Sequence, residues 1–144
     1  MKFWDTSAIV PLIVSEHQSD AMRARFTADP TIVVWWATRV EVASAISRRE
    51  HAGVISSGDA TTLLRTLDAL ALTWLEVQPV AAIRPLARRL LRTHPLRAAD
   101  ALQLAAAVAF ADGRPESVSF VCLDERLSSA AQREGLSLVD ADQR

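Results

Sequence analysis

The sequence predicts an α/β fold built on a central parallel sheet flanked by helices on both faces. Three observations lead there. Short apolar or β-branched segments alternate with longer segments of helical periodicity, Gly, Pro and Ser mark the changeovers, and no linker, repeat or low-complexity stretch interrupts the series. Strands separated by helices favour parallel pairing through crossover connections. A length of 144 residues suits a single domain, residues 1–144, with a substantial core.

Lys2 to Asp5 reads as a short strand, followed by a turn and a helix from Ser7 to Val14. Ser19 is placed to cap a helix reaching about Phe26, and the β-branched run Thr31 to Val34 is a strand. From Trp36 to His51 the pattern is helical and stops at Gly53, and Asp59 to Leu72 is a further helix after Ser57-Gly58. Trp74 to Val77 is a short strand before Pro79. Helices then run from Val80 to Thr93 and from Leu96 to Ala111, split by His94-Pro95. Val118 to Leu123 is the clearest strand, Glu125 to Arg133 a helix ended by Gly135, and Leu136 to Val139 the last strand.

Half of the residues are hydrophobic and 23% are charged, the ordinary balance of an α/β protein. The apolar stretch Ala98 to Ala111 contains Asp100 and Gln103 and is too short to span a bilayer, so no membrane helix is expected. No basic leader with a cleavage site precedes the first strand, and the lone cysteine, Cys122, has no partner for an intrachain disulfide; the expectation is a cytoplasmic protein. Cys122 lies in an apolar run and reads as a small buried hydrophobe. A net charge of -1 excludes the strong overall basic field of a DNA-coating protein but leaves RNA open, since local clustering decides that. Positive charge is almost all arginine. Arg84, Arg88 and Arg92 recur at helical spacing with Arg89 and Arg97 nearby, a stripe able to fork onto phosphate oxygens or simply to form a solvated face.

Four carboxylates stand where solubility does not call for them. Asp5 ends the first apolar run, Glu41 lies among Val40, Val42, Ala43, Ala45 and Ile46, Asp100 opens an alanine-rich helix, and Asp124 follows Val121-Cys122-Leu123. A charge embedded in an apolar pattern costs free energy unless it is paired or bound to a cation. Each acid also has a plainer reading: Asp5 and Asp124 can cap the turns and helices after them, Asp100 with Gln103 resembles a capping box, and Arg39 or solvent could accommodate Glu41. A shared divalent-metal site accounts for all four together. In open parallel sheets the ligand crevice lies beyond the carboxyl ends of the strands, where Asp5 and Asp124 fall.

Carboxylates without histidine partners suit a hard cation. His17, His51 and His94 are far apart and have no zinc-ligand spacing, so each reads as a surface or capping residue, whereas oxygen donors fit Mg²⁺ or Mn²⁺. Such a cation activates water and neutralises charge developing on a phosphate, which makes phosphodiester hydrolysis the natural reaction class. The chain has no GxxxxGK[ST], GxGxxG or GxSxG motif. An aspartyl-phosphate enzyme wants a second acid two residues after the first, where this chain has Ser7, and a metal-free ribonuclease wants an acid/base pair that is not evident. Thr6 and Ser7 read as hydroxyls that orient Asp5 or touch a phosphate, or as a simple turn.

Four blocks then resemble, in order, those of a PIN domain: Phe3-Trp4-Asp5-Thr6-Ser7-Ala8, Arg39-Val40-Glu41-Val42-Ala43-Ser44-Ala45, Leu96 to Ala105 around Asp100, and Phe120 to Leu127 around Asp124. Their order and spacing are similar to those of VapC-type toxins of toxin–antitoxin pairs. The resemblance implies a compact PIN-like domain and a Mg²⁺- or Mn²⁺-dependent endoribonuclease, a homodimer held inactive by a VapB-like antitoxin. It implies Asp5 and Asp100 as the main metal ligands, Glu41 and Asp124 as the remaining catalytic acids, and Ser7 as a support for Asp5. Thr6, Ser7 and Arg97 are candidate substrate contacts. An antitoxin arginine would pair with the acids, and an apolar groove near Trp35 and Trp36 would hold a partner helix, unless both tryptophans serve core or dimer packing. Trp4 departs from the aliphatic residue expected before the first acid. Two alternatives are a non-cleaving PIN-like module that binds RNA or protein, and a phosphohydrolase of small phosphate esters.

Overall fold

The computed structural model describes residues 1–139, so the last part of the predicted 1–144 domain lies outside the described residues. Strands β1 (Lys2–Trp4), β2 (Ile32–Trp35), β3 (Leu75–Val77), β4 (Ser119–Val121) and β5 (Ser137–Leu138) form one sheet in the order β3-β2-β1-β4-β5. Every pairing is parallel. The helices are α1 (Thr6–Ile13), α2 (Ser19–Ala28), α3 (Thr38–His51), α4 (Ser57–Ala71), α5 (Ile83–Thr93), α6 (Ala98–Ala111) and α7 (Glu125–Arg133). The chain winds from β1 outward through β2 to β3, then returns to the other side of β1 for β4 and β5. The direction of winding therefore reverses between β1 and β4, and a crevice opens there at the strands' carboxyl ends.

The period-two alternation of the strands builds two cores. Phe3, Val33, Trp35 and Phe120 face one side of the sheet with Leu90, Leu104 and Leu127 of α5, α6 and α7, and the Phe3 and Phe120 rings stack at 5.8 Å. Trp4, Ile32, Val34 and Val121 face the other side with Ile9, Met22, Ile46 and Leu67 of α1 to α4. Both predicted faces are thus covered by helices. The alanine run makes α6 the innermost helix: Ala101, Leu104, Ala105, Ala106 and Ala107 have no exposure, and small side chains let the backbone lie close to sheet and α5.

Boundaries differ from the sequence reading where neighbours decide them. The strand predicted from Val118 to Leu123 stops at Val121, because its partner β1 ends at Trp4 and the Asp5 amide takes the Val121 carbonyl at 2.9 Å. Cys122 and Leu123 are loop, so Asp124 does not end a strand but caps α7. The helix predicted from Trp36 begins at Thr38, since the Trp36 amide is donated to Val77 and prolongs the β2–β3 pairing. The predicted cap Ser19 is instead the first residue of α2; its hydroxyl donates to the Val14 carbonyl and accepts from the Glu16 amide, closing the α1–α2 loop. The fourth helix starts earlier than predicted because Ser56 and Asp59 form a reciprocal capping box. Gly135 ends α7 at φ +91°, where a side chain would also meet Pro115.

Trp4 is fully buried, and its indole Nε1 has no hydrogen-bond partner among the described residues. The unusual residue before Asp5 is accommodated by packing and not by polar compensation. Trp35 is core, whereas Trp36 is half exposed, so core packing does not hold for both tryptophans. His94 departs from the surface reading: it follows α5 as a cap residue, but its ring is buried and meets Glu134 at 2.7 Å.

Close seating of α6 makes a prediction. Ala105→Leu should lower stability by about 1–3 kcal/mol through overpacking, read from urea unfolding midpoints. An unchanged midpoint would contradict the close approach of α6 to the sheet.

Candidate active site

The crevice at the β1–β4 switch is an open cleft of about 680 Å³ that collects residues far apart in sequence: Asp5, Thr6, Ser7, Glu41, Asp100 and Asp124 all line it. Asp5 follows β1 directly and caps α1, and its Oδ2 accepts from the Ser7 amide at 3.1 Å and the Ser7 hydroxyl at 2.6 Å. The same hydroxyl accepts the Leu123 amide at 2.9 Å, which ties the end of β1 to the loop after β4. Cys122, in the loop after β4, is not simply a core hydrophobe: its thiol points at Asp5 Oδ2 from 3.5 Å, and burial, followed by the Asp5 charge, pushes it up to about 12.

Glu41, in the first turn of α3, accepts from the Thr6 hydroxyl at 2.8 Å and the Gln103 amide at 2.7 Å, both on Oε2. Arg39 does not accommodate it, being paired with Asp68 on α4. Asp100 lies at the third position of α6 and makes no capping bond. The capping-box reading fails because Gln103 turns inward, where its Nε2 meets Thr6, Thr38 and Glu41 at 2.7–2.9 Å. Asp124 uses Oδ1 to accept the Leu127 amide at 2.9 Å. Helix capping by Asp5 and Asp124 is therefore real, and it leaves each acid facing the cleft.

Gln103 was singled out in sequence only as part of a possible cap. It is 1% exposed, and its Oε1 has no partner among the described residues. Its position one helical turn after Asp100 was the available signal, since i and i+3 share a helix face. Arg97 precedes α6 and is exposed; its charge lowers the Asp100 carboxyl only partly. Arg84, Arg88 and Arg92 form an exposed face of α5, while Arg89 holds Glu134 with two bonds at 3.2 and 3.1 Å.

The electrostatics are those of unneutralised acid. Burial raises the Asp5 carboxyl, against the lowering effect of its Ser7 and Cys122 bonds. Burial also raises Glu41, with the charges of Asp5 and Asp100 adding to it and the Thr6 and Gln103 bonds opposing it. Asp100 is raised by burial, then by Asp5 and Asp124.

A family profile described as PIN domain matches residues 2–144. The chain belongs to the PIN domain family. Solved structures share its fold: FitAcB from Neisseria gonorrhoeae aligns with a TM-score of 0.68 at 19% identity, covering 100% of each chain. A structure of FitAB bound to an IR36 DNA fragment aligns at 0.66 and 19% identity, over 98% of this chain and 95% of that one. No sequence among the curated proteins matches. PIN domains are generally nucleases and typically use a divalent metal. Among the described residues of this PIN domain, no three His, Cys, Asp or Glu groups already stand as a metal cage. The donor chemistry nonetheless fits Mg²⁺, which binds through one or two carboxylates and completes its shell with water and substrate phosphate. Asp5, Glu41 and Asp124 each spend one oxygen on the protein, and the other has no donor among the described residues.

Burial of these acids, with charge repulsion added at Glu41 and Asp100, has a measurable consequence. A carboxyl raised in the folded state binds protons more tightly folded than unfolded, so metal-free stability falls as pH rises from the ordinary carboxylate range through the raised folded values. Asp100→Asn should flatten that fall and raise the metal-free melting temperature at pH 7, by a few degrees on the usual scaling. A lower melting temperature in the variant would show that Asp100 is compensated.

Proposed function

We propose that this PIN domain is a Mg²⁺- or Mn²⁺-dependent endoribonuclease that hydrolyses RNA phosphodiester bonds, with Asp5, Glu41, Asp100 and Asp124 as its catalytic acids. One observation carries the reading. Four acids from four separate elements converge on one cleft, and none of them forms a salt bridge with any described residue. Asp5 and Asp100 are the residues that would hold the metal. When bound, the metal supplies an activated water and charge neutralisation at the phosphate.

Hydrogen bonds support the remaining roles. Ser7 fixes the Asp5 carboxylate through Oδ2 and leaves Oδ1 for the cation. Gln103 and Thr6 fix Glu41 through Oε2, so its second oxygen is held toward the cleft as a proton acceptor or further ligand. Asp124 is held by the α7 amide of Leu127, which supports the same arrangement. Thr6, which lines the cleft, and Arg97, which precedes α6 three residues before Asp100, are the proposed substrate contacts.

The resemblance to VapC-type proteins supports the wider setting: a toxin of a toxin–antitoxin pair, cytoplasmic, dimeric and restrained by a VapB-like antitoxin. No helix among the described residues is long and apolar enough to cross a membrane. Half-exposed Trp36 and exposed Val40 give a dimer or an antitoxin helix apolar surface near the cleft.

Purified protein freed of antitoxin should cut cellular RNA into discrete fragments with Mg²⁺ or Mn²⁺ and lose that activity in EDTA. Asp5→Asn should lose more than the ~10–100-fold typical of disturbing a ligand's supporting contacts. Cleavage that persists in EDTA or in the variant would contradict the assignment.

A further inference from the structure

We infer that Ser44 and Arg48 form a subsite for a second phosphate of the substrate, next to the one being cut. The inference rests on the nuclease reading and adds what the cleft selects: a polynucleotide strand and not an isolated phosphate ester. The cleft is bipolar. Asp5, Asp100 and Asp124 gather beyond the strand ends, whereas its far wall is the face of α3 that bears Glu41, Ser44, Ala45 and Arg48. These positions are spaced three and four apart, so they stack along one side of the helix.

The three arginines of α3 have different fates. Arg39 is paired with Asp68, and Arg49 is paired with Glu16 and donates to the Ala45 carbonyl at 3.0 Å. Arg48 forms no ion pair with any described residue, and its one hydrogen bond among them goes from Nη1 to the Ser44 hydroxyl at 3.0 Å. Its other guanidinium N–H groups have no partner among the described residues. A planar fork with spare donors suits a phosphate, and Ser44 adds a hydroxyl beside it. The pairing of Arg49 with Glu16 matters as well, because it neutralises the acid nearest this end of the cleft.

The separation is short enough for one bound strand to span. Arg48 is seven residues beyond Glu41, roughly 10.5 Å along the helix axis. Helical side chains lean back toward the N-terminus, and the bond from Arg48 to Ser44 four residues earlier shows the guanidinium doing so, which shortens the gap to the acids. A phosphate at the acids and its neighbour at Arg48 would lie within one bound strand.

The test compares wild type, Arg48→Gln, Arg48→Lys and, as a control on α4 away from the cleft, Arg65→Gln. Binding of a single-stranded oligoribonucleotide is measured by fluorescence anisotropy in EDTA over a range of salt, so cleavage plays no part. Arg48→Gln should bind about 10-fold more weakly, with a plot of log K against log salt shallower by about 0.7. Arg48→Lys should recover the salt slope, and Arg65→Gln should match wild type. With Mn²⁺, Arg48→Gln should raise KM for RNA while leaving turnover of bis(p-nitrophenyl) phosphate, which has a single phosphodiester, unchanged. Equal RNA binding by wild type and Arg48→Gln, or equal losses on both substrates, would overturn the subsite. Wild type that binds RNA and never cuts it would sink the nuclease reading alone, with the Arg48 comparison still deciding the subsite.

Discussion

Asp5 is a carboxylate buried at the end of the central strand, and the neighbouring elements are arranged around the cost of keeping it there. Placing an ion in a low-dielectric position is expensive unless donors replace the lost water. The chain supplies them locally: the first turn of α1 begins at Thr6, so the Ser7 amide and hydroxyl both reach Oδ2. The positive end of α1 faces the same carboxylate. This compensation is incomplete, since burial still outweighs the bonds and holds the carboxyl above its ordinary range. The remainder of the cost is what a bound cation would relieve.

Around Asp5 the fold assembles a second layer of control. Gln103, Thr6, Thr38 and Glu41 form one partly buried network that ties α6, α1 and α3 together at the cleft. Its geometry is demanding: the two N–H groups of the Gln103 amide face three acceptors, and Oε1 is left without a donor among the described residues. An unpaired buried acceptor typically costs about 1–3 kcal/mol. Local stability is thus given up at the cleft, and the alanine-rich packing of α6 and the two apolar cores must offset it. Such conflicts between polar satisfaction and position are expected at functional sites.

Much of this was legible in the sequence. The strand–helix alternation gave the parallel sheet, and the mismatch of acids with their apolar surroundings located Asp5, Glu41, Asp100 and Asp124, which the fold brings into one cleft. What escaped was decided by partners distant along the chain. β4 ends early because β1 turns away beside it, and no local pattern in Val121-Cys122-Leu123 encodes that. Gln103 looked like a capping residue because its role depends on Thr38 and Glu41, 65 and 62 residues away. Arg48 sits in an ordinary run of surface charge and is distinguished from Arg49 only by which of them meets Glu16. His94 was hidden for the same reason, its partner Glu134 lying 40 residues on.

The proposed phosphodiester chemistry requires a divalent cation among the four acids of the cleft. Anomalous diffraction from a Mn²⁺-soaked crystal of the antitoxin-free protein would locate it. A manganese peak coordinated by Asp5 and Asp100, and lost in Asp5→Asn, is expected. A cleft with no peak at saturating Mn²⁺, or manganese bound only elsewhere on the surface, would contradict it.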